Sequence, residues 1–348
     1  MKKTKIFAMT LAMVLAVTSC KDDDNVVNPI NPINPEPAGA FQNGIIVANE
    51  GNFGTPNADV SFIDANLDGI QNNVYTTTNN ENLGDVLQNI GFTDDDAFLV
   101  ANNSNRIAIV DRYTMEFKSE ITEGLSLPRY ITFAGDYAYV TNSSSKTVSI
   151  YNKDTYNYIE SLNINNTVER IVTCDSIVFV QNASFGSGNS LTMISTNSNQ
   201  VKGSIDVPAG SIDRTVSYNN KVYVIARTDQ DSYIYTFDSL GTLLNTITLT
   251  GIPKAKNLDI DQDKFYFTSG TGVYAMSMTD STAPTAPIFN VEDNSWSTFY
   301  GFNVIDGKIY VSDAQGFTQG SKVTVYNTSG ELLKEFTATI GVNAFYKN

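Results

Sequence analysis

The chain has 348 residues, of which 37 are acidic, 22 are basic and none is histidine, so its formal net charge is −15. The absence of histidine excludes Ser-His-Asp triads, histidine general bases and histidine metal ligands. The acidic balance disfavours nucleic acid as a partner, because binding to it depends on neutralising phosphates. No paired-carboxylate motif stands out among the many acidic residues, so the sequence predicts a protein that is not an enzyme.

The first 19 residues have the pattern of a secretory signal, with a basic start and an apolar stretch from Ile6 to Val17. That stretch is shorter than the roughly 20 residues that a membrane-spanning helix needs. The signal ends in LAVTSC, which resembles a bacterial lipobox, and this predicts that Cys20 is lipidated and becomes the first residue of the mature chain. The alternative is an ordinary signal peptide with a chance cysteine.

Residues 20–40 are predicted to tether the mature domain to the membrane. The run Lys21–Asp24 resembles the acidic tag that carries lipoproteins of Bacteroidetes to the outer face of the outer membrane, although a solvated charge run in a linker would look the same. The following segment contains prolines at positions 29, 32, 35 and 37 and should be extended and semi-rigid. We therefore expect a lipid-anchored protein that faces the cell exterior.

From residue 41 to residue 348 the chain repeats a unit of alternating strands and tight turns, with about 43 residues per repeat. The third strand of each unit is recognisable seven times, at 58–64, 105–111, 146–152, 189–195, 232–238, 271–277 and 321–327. Repeats of this length made only of strands are typical of a β-propeller. The prediction is an all-β domain, a seven-bladed propeller, since no window after residue 40 sustains the apolar periodicity of a helix.

The first repeat lacks its innermost strand, because the chain enters at 44–49, which matches the second strand of the other repeats. The segment 341–347 matches inner strands such as 300–304. We therefore predict that the C-terminal strand completes blade one and closes the ring, which removes exposed sheet edges.

One face of the predicted ring carries the longer and more irregular segments, where functional residues concentrate on a rigid scaffold. Three loops rich in Gly, Ser, Asn or Gln each carry one phenylalanine: Phe53 (beside Asn52), Phe185 and Phe317. A crossover adds Trp296 and Tyr300. The rings form an aromatic clamp for a flat or apolar ligand, or they fold back over their blades as plugs.

Four basic residues fall at the predicted start of the inner strands, around the mouth of the central channel. They are Arg129, Arg170, Arg214 and Lys256. They could pair with Glu169 and Asp213 in a structural ring of salt bridges, or donate hydrogen bonds to a ligand. The candidate ligand-binding residues are therefore Asn52, Phe53, Arg129, Arg170, Phe185, Arg214, Lys256, Trp296, Tyr300 and Phe317.

A weak metal candidate lies in a turn of blade one, where Asp64, Asn66, Asp68 and Gly69 match the start of a calcium-binding loop. The twelfth position of such a loop would be Tyr75 and not glutamate. A hairpin stabilised by the aspartate side chain explains the motif equally. No resident cofactor is predicted.

The segment 45–64, IIVANEGNFGTPNADVSFID, follows a lipobox, an acidic tag and a proline-rich stalk. In this arrangement the chain resembles the BtuG-like surface cobalamin-binding propeller lipoproteins of Bacteroidetes, within the YncE-like propeller group. The resemblance covers the mature chain, and its most specific part is Asn49 to Gly54. It implies that the protein binds vitamin B12 or another cobamide and passes this corrinoid to a TonB-dependent outer-membrane transporter.

Two other functions remain open for the same fold. A propeller that binds surface glycans or peptides would also use exposed aromatic residues. A protein-interaction module accessory to an outer-membrane receptor would bind no small molecule. The rim arginines and aromatic loops are compatible with a corrinoid, which is partly flat, fringed with amides and carries one phosphate.

Overall fold

The computed structural model describes residues 39–292 and 295–348, which form seven four-stranded antiparallel sheets arranged as the blades of a propeller. Strands are numbered in chain order. The innermost strands are β28 (Val342–Lys347), β4 (Leu87–Phe92), β8 (Pro128–Ala134), β12 (Ile171–Cys174), β16 (Ser211–Tyr218), β20 (Lys256–Asp261) and β24 (Thr298–Ile305). The second strands are β1 (Gly44–Asn49), β5 (Asp96–Ala101), β9 (Tyr137–Asn142), β13 (Ile177–Ser184), β17 (Lys221–Arg227), β21 (Lys264–Ser269) and β25 (Lys308–Asp313).

The two outer positions of each blade complete the sheets. The third strands are β2 (Asp59–Asp64), β6 (Arg106–Asp111), β10 (Thr147–Asn152), β14 (Ser187–Ser195), β18 (Ser232–Phe237), β22 (Gly272–Ser277) and β26 (Lys322–Asn327). The outermost strands are β3 (Ile70–Gln71), β7 (Phe117–Ile121), β11 (Tyr158–Asn163), β15 (Gln200–Asp206), β19 (Leu243–Leu249), β23 (Phe289–Asn290) and β27 (Leu332–Thr337). The predicted seven-bladed, nearly all-β propeller is confirmed.

The strands in the middle of each blade are the most buried and the outermost strands the least, and apolar residues are correspondingly concentrated in the middle strands. All six residues of β1 are buried, as are five of the six in β5, because neighbouring blades cover both faces of these strands. In β19 five of the seven residues are exposed. Apolar residues of adjacent blades interlock, as where Phe98 and Ile109 of blade two share one cluster with Val140 of blade three. Each blade thus depends on its neighbours for its core.

The C-terminal strand closes the ring as predicted. Strand β28 pairs antiparallel with β1, with Val47 opposite Phe345 and Ala48 opposite Ala344. The side chain of Asn348 extends this seam, since its Nδ2 donates to the carbonyl oxygen of Phe41 at 2.7 Å and to that of Arg112 at 3.0 Å. Residues from both ends of the described chain therefore build one blade.

Two short helical segments lie within the nearly all-β ring. A six-residue α-helix, α1 (Val74–Asn79), follows the two-residue strand β3, and a 3₁₀ turn spans Gln315–Phe317. The helix forms because the carboxylate of Asp59 accepts the backbone N–H of Tyr75 at 2.9 Å and that of Thr76 at 3.2 Å. This buried acceptor fixes the first turn locally, and no apolar periodicity is needed for it.

In the part of the chain that the structure describes, no helix is both long and apolar enough to cross a bilayer. The predicted signal peptide, the lipidation site Cys20 and most of the predicted tether lie outside the described residues.

The closing strand provides a test of ring stability. Phe345 is buried against Tyr310, with ring centroids 5.5 Å apart. Phe345→Ala should lower the free energy of unfolding by about 3–5 kcal/mol, because it leaves a cavity between blades one and seven. Urea unfolding followed by tyrosine fluorescence measures this.

The control is Lys347→Ala in the same strand as Phe345, which removes an exposed ion pair to Asp306 in the β24–β25 turn and should cost less than about 1 kcal/mol. An equally small loss for Phe345→Ala would mean that the closing strand contributes little to stability.

Candidate functional site

The mouth of the central channel widens into a cavity of about 610 Å³. It lies on the face where the inner strands begin, so residues near the N-terminal ends of these strands form its floor. Seven of the ten predicted ligand-binding residues line it, namely Phe53, Arg129, Arg170, Phe185, Arg214, Tyr300 and Phe317. The structure thus brings together side chains from blades one, three, four, five and seven.

Two of the three loop phenylalanines stand free above this cavity. Phe185 is 98% exposed and Phe53 is 81% exposed. Neither ring is packed as a plug over its own blade, so the plug alternative is wrong for these two loops. Exposed phenylalanines gathered at the rim of one cavity form an apolar surface that a ligand or partner would cover.

Phe317 differs from the other two because it is packed. Its ring is stacked on Trp296, with centroids 5.9 Å apart and planes 4° apart, and meets the ring of Tyr300 edge-on at 5.1 Å. Phe317 thus packs on blade seven, as the plug alternative predicts, but it also lines the cavity. Phe317 and Tyr300 form one wall of the cavity entrance, and Trp296, which is 70% exposed, extends this stack beyond the cavity.

The backbone of two of these loops lies in the left-handed region, at φ 49° for Phe185 and φ 62° for Phe317. Bulky residues are rare there, since the conformation costs about 1–3 kcal/mol. Such positions cluster at binding sites. Phe185 sits at the tip of the β13–β14 hairpin, whose strands have eight and nine residues where most others have six, and the extra length carries the ring outward.

Three predicted residues do not line the cavity. Asn52 lies behind it, where its Nδ2 donates to the carbonyl oxygen of Phe317 at 2.8 Å and thereby joins the loops of blades one and seven. Trp296 lines a neighbouring depression at blades six and seven. Lys256, at the start of β20, is partly buried, and this burial lowers the pKa of its ammonium group.

The predicted ring of salt bridges forms only at one place. Nε of Arg129 donates to both carboxylate oxygens of Glu169, at 3.0 and 3.1 Å, and its Nη1 donates to Gln88. Asp213 instead approaches Arg227, at 3.6 Å between Oδ1 and Nη2. Arg129 is thus neutralised, whereas Arg170 and Arg214 are not.

A second polar network crosses the seam between β28 and β1 and reaches blade seven. Oε2 of Glu50 accepts the hydroxyl of Tyr300 at 2.7 Å, and Oε1 accepts Nδ2 of Asn343 at 2.8 Å. Burial raises the pKa of Glu50 above its ordinary 4.5, although both hydrogen bonds and the positive charge of Arg129 oppose the shift.

Sequence reasoning missed several residues of this cavity. The most informative are Glu50, Gln88, Asn303, Asn343 and Tyr346. Glu50 lies within the segment Asn49 to Gly54, on which the family resemblance is most specific, and the match between 341–347 and the other inner strands could have assigned Asn343 to the same rim. No sequence signal marks Gln88 or Asn303 as different from other polar residues on strands.

The candidate calcium loop of blade one is a hydrogen-bonded turn. Oδ1 of Asp64 accepts the backbone N–H groups of Asn66 at 3.0 Å and Asp68 at 3.2 Å, and Oδ2 accepts that of Gly69 at 2.7 Å. Within residues 39–292 and 295–348, no three His, Cys, Asp or Glu side chains are grouped so that they could hold a metal ion. The aspartate-stabilised hairpin accounts for the motif.

Comparison with known proteins supports the fold but gives no activity. A family model described as "Domain of unknown function (DUF5074)" matches residues 43–346. A quinoprotein alcohol dehydrogenase-like protein from Bacteroides thetaiotaomicron is similar in structure, with a TM-score of 0.71, 15% identity, and coverage of 88% of this chain and 79% of that one. None of the curated proteins matches the chain.

Two further solved structures are similar at lower scores. Apo AztD from Citrobacter koseri has a TM-score of 0.57 at 11% identity, covering 87% of this chain and 96% of that one. Hydrazine synthase from Kuenenia stuttgartiensis has a TM-score of 0.56 at 13% identity, covering 73% and 87%. Identities this low show a shared propeller fold, and function has to be argued from the site.

The raised pKa of Glu50 has a measurable consequence. The unfolded chain ionises this carboxyl near 4.5, whereas the folded protein holds the proton to higher pH. The contribution of Glu50 to stability is therefore fully present below pH 4.5 and is lost as the pH rises through the raised pKa. Glu50→Gln keeps the shape and removes this dependence.

Urea unfolding of both proteins between pH 4 and pH 8 tests the prediction. The stability of the natural protein should fall relative to that of Glu50→Gln as the pH increases. Glu116→Gln, at an exposed position of blade two, is the matched control and should follow the natural protein. Parallel profiles for the natural protein and Glu50→Gln would contradict the argument.

Proposed function

The chain belongs to the DUF5074 family, and from this premise we propose that it is an outer-surface lipoprotein that binds a corrinoid at the channel mouth and hands it to a TonB-dependent transporter. The observation that carries the proposal is the cavity itself. Exposed aromatic rings form its rim, and amides and arginines form its floor.

The chemistry of the site suits a large, partly flat ligand fringed with amides. The cavity of about 610 Å³ is within the usual range of ligand pockets, about 300–1,000 Å³. Because a whole corrinoid is larger than this cavity, only part of it would enter. The remainder would lie against Phe53 and Phe185, which extend the apolar surface above the rim. The chain has no histidine, so binding would rest on the periphery of the ring and not on an imidazole ligand to cobalt.

The Gly-rich loops that carry these rings also suit transfer to a second protein. A ligand held partly outside the cavity leaves surface for a transporter to contact. The predicted lipid anchor at Cys20 and the proline-rich tether would keep the propeller close to such a partner.

A binding assay with cyanocobalamin tests the proposal directly. The purified protein should retain the red colour after desalting. Phe53→Ala, Phe185→Ala and Trp296→Ala should each weaken binding by roughly 2- to 12-fold, the equivalent of about 0.5–1.5 kcal/mol per aromatic contact. Isothermal titration calorimetry measures the change.

The matched control is Leu240→Ala. This leucine is also a highly exposed apolar residue, but it lies in the turn between β18 and β19 on the opposite face, so its removal should leave affinity unchanged. Absence of cyanocobalamin and cobinamide binding would refute corrinoid capture. Binding of oligosaccharides in its place, weakened by the same three substitutions, would identify a glycan-binding propeller.

The proposed location has its own test. Cys20→Ala should move the protein from the membrane fraction to the soluble fraction of lysed cells, because one lipidated residue provides the anchor. Protease added to intact cells should degrade the natural protein if it faces the exterior. Protection of the natural protein in intact cells, with degradation only after lysis, would mean that it faces the periplasm.

A further inference from the structure

Two guanidinium groups at the floor of the channel-mouth cavity lack an acidic partner. Arg170 and Arg214 both line this cavity. Among residues 39–292 and 295–348, neither has a carboxylate oxygen within 4.0 Å, in contrast to Arg129, which is paired with Glu169. Buried charges in proteins are normally paired, whereas these two positive charges on the floor are in contact with no carboxylate of the described residues.

Arg214 is the more deeply placed of the two, with 7% of its surface exposed. Its Nη1 donates to the carbonyl oxygen of Phe302 at 3.1 Å, and its Nη2 donates to Oδ1 of Asn257 at 3.2 Å. Both acceptors are neutral. The Nε–H group is buried and has no hydrogen-bond partner among the described residues. The described residues therefore satisfy this guanidinium incompletely and supply no negative charge in contact with it.

Arg170 lines the same floor, and its guanidinium is held by fewer contacts than that of Arg214. Its guanidinium carbon is 4.7 Å from the centre of the Tyr130 ring, and this stacking is the contact that orients it. Stacking engages one face of the guanidinium and leaves its N–H edge available for a bidentate contact.

The nearest carboxylates are already engaged elsewhere. Asp213 accepts the backbone N–H of Asn257 at 2.9 Å and faces Arg227. Asp259 accepts Nδ2 of Asn303 at 3.0 Å and the backbone N–H of Val304 at 2.9 Å. Arg214 experiences these two charges without contacting either, and burial together with the nearby Arg170 lowers its pKa to about 10, so it stays cationic at neutral pH.

We propose that Arg170 and Arg214 form an oxyanion subsite at the floor of the cavity, which takes a phosphate or carboxylate group of the bound ligand. The free N–H edge of Arg170 supplies the donors, in the forked geometry that suits such groups, and the positive charge of Arg214, which lines the same floor, adds to the attraction. This inference deepens the proposed function, on which it rests for the identity of the ligand that carries the anionic group.

The first experiment uses inorganic phosphate as the probe. Calorimetric titration of the full-length protein at constant ionic strength should show saturable binding of phosphate. Arg170→Gln should weaken it by about tenfold or more, since charge-assisted hydrogen bonds contribute about 1.5–3 kcal/mol. Acetate in a parallel titration distinguishes a preference for phosphate from one for carboxylate.

Lys264→Gln is the matched control, because it removes one positive charge from the exposed first residue of β21, beside the β20–β21 turn on the opposite face. Arg214→Gln is the second variant, and its circular dichroism spectrum and urea midpoint report whether the ring stays folded. Arg170 is partly exposed and is oriented by stacking on Tyr130, so its replacement should not unfold the ring. Arg170→Gln therefore tests the subsite even if Arg214→Gln unfolds. Absence of phosphate and acetate binding, or equal binding by Arg170→Gln and the natural protein, would overturn the subsite.

A second comparison separates this inference from the proposed function. Cyanocobalamin carries a phosphate diester and cobinamide does not. Arg170→Gln should weaken cyanocobalamin binding about tenfold and leave cobinamide binding unchanged. Phosphate binding without corrinoid binding would remove the proposed ligand and retain the subsite. Corrinoid binding that is insensitive to Arg170→Gln would retain the proposed function and remove the subsite.

Discussion

The pairing of β28 with β1 is the contact on which the rest of this molecule depends. The inner strands of each blade are covered on both faces by the two neighbouring blades. An open ring would therefore leave one face of a blade exposed, and the backbone groups of β1 that face β28 would be unpaired. Closure by two strands from distant parts of the sequence brings seven inner strands to the same axis. Only in that arrangement do their first residues converge on one channel mouth, where the cavity lies.

The scaffold and the cavity are encoded by different parts of each repeat. The scaffold comes from what the seven blades share, namely strands buried between blades and tight turns between them. The cavity comes from what they do not share. Blade four extends its second and third strands to raise Phe185, and blade seven bends its loop into a 3₁₀ turn that presents Phe317 to Trp296. Loops of this kind can change without loss of the ring, which explains how one architecture supports unrelated functions.

Much of the fold could be predicted because it rests on local alternation and repeat length. The closing strand was predictable as well, since 341–347 matches the inner strands that precede it. The helix α1 was not predictable from periodicity, because its first turn depends on the buried carboxylate of Asp59, 16 residues before Tyr75. The pairing of charged side chains at the rim could not be predicted from the sequence either. Register placed Arg129, Arg170 and Arg214 on one rim, but only the three-dimensional arrangement shows that Glu169 neutralises the first and leaves the other two unpaired.

The hydrogen bond between Asn343 and Glu50 joins residues that are 293 positions apart in the chain. Both side chains line the cavity, and both belong to the seam that closes the ring. A molecule that contacts them therefore binds only the closed form, and its binding energy is added to the energy of closure. Each tenfold excess of ligand over its dissociation constant would stabilise the closed ring by about 1.4 kcal/mol. Occupancy of the cavity and resistance of the whole propeller to unfolding are in this way thermodynamically linked.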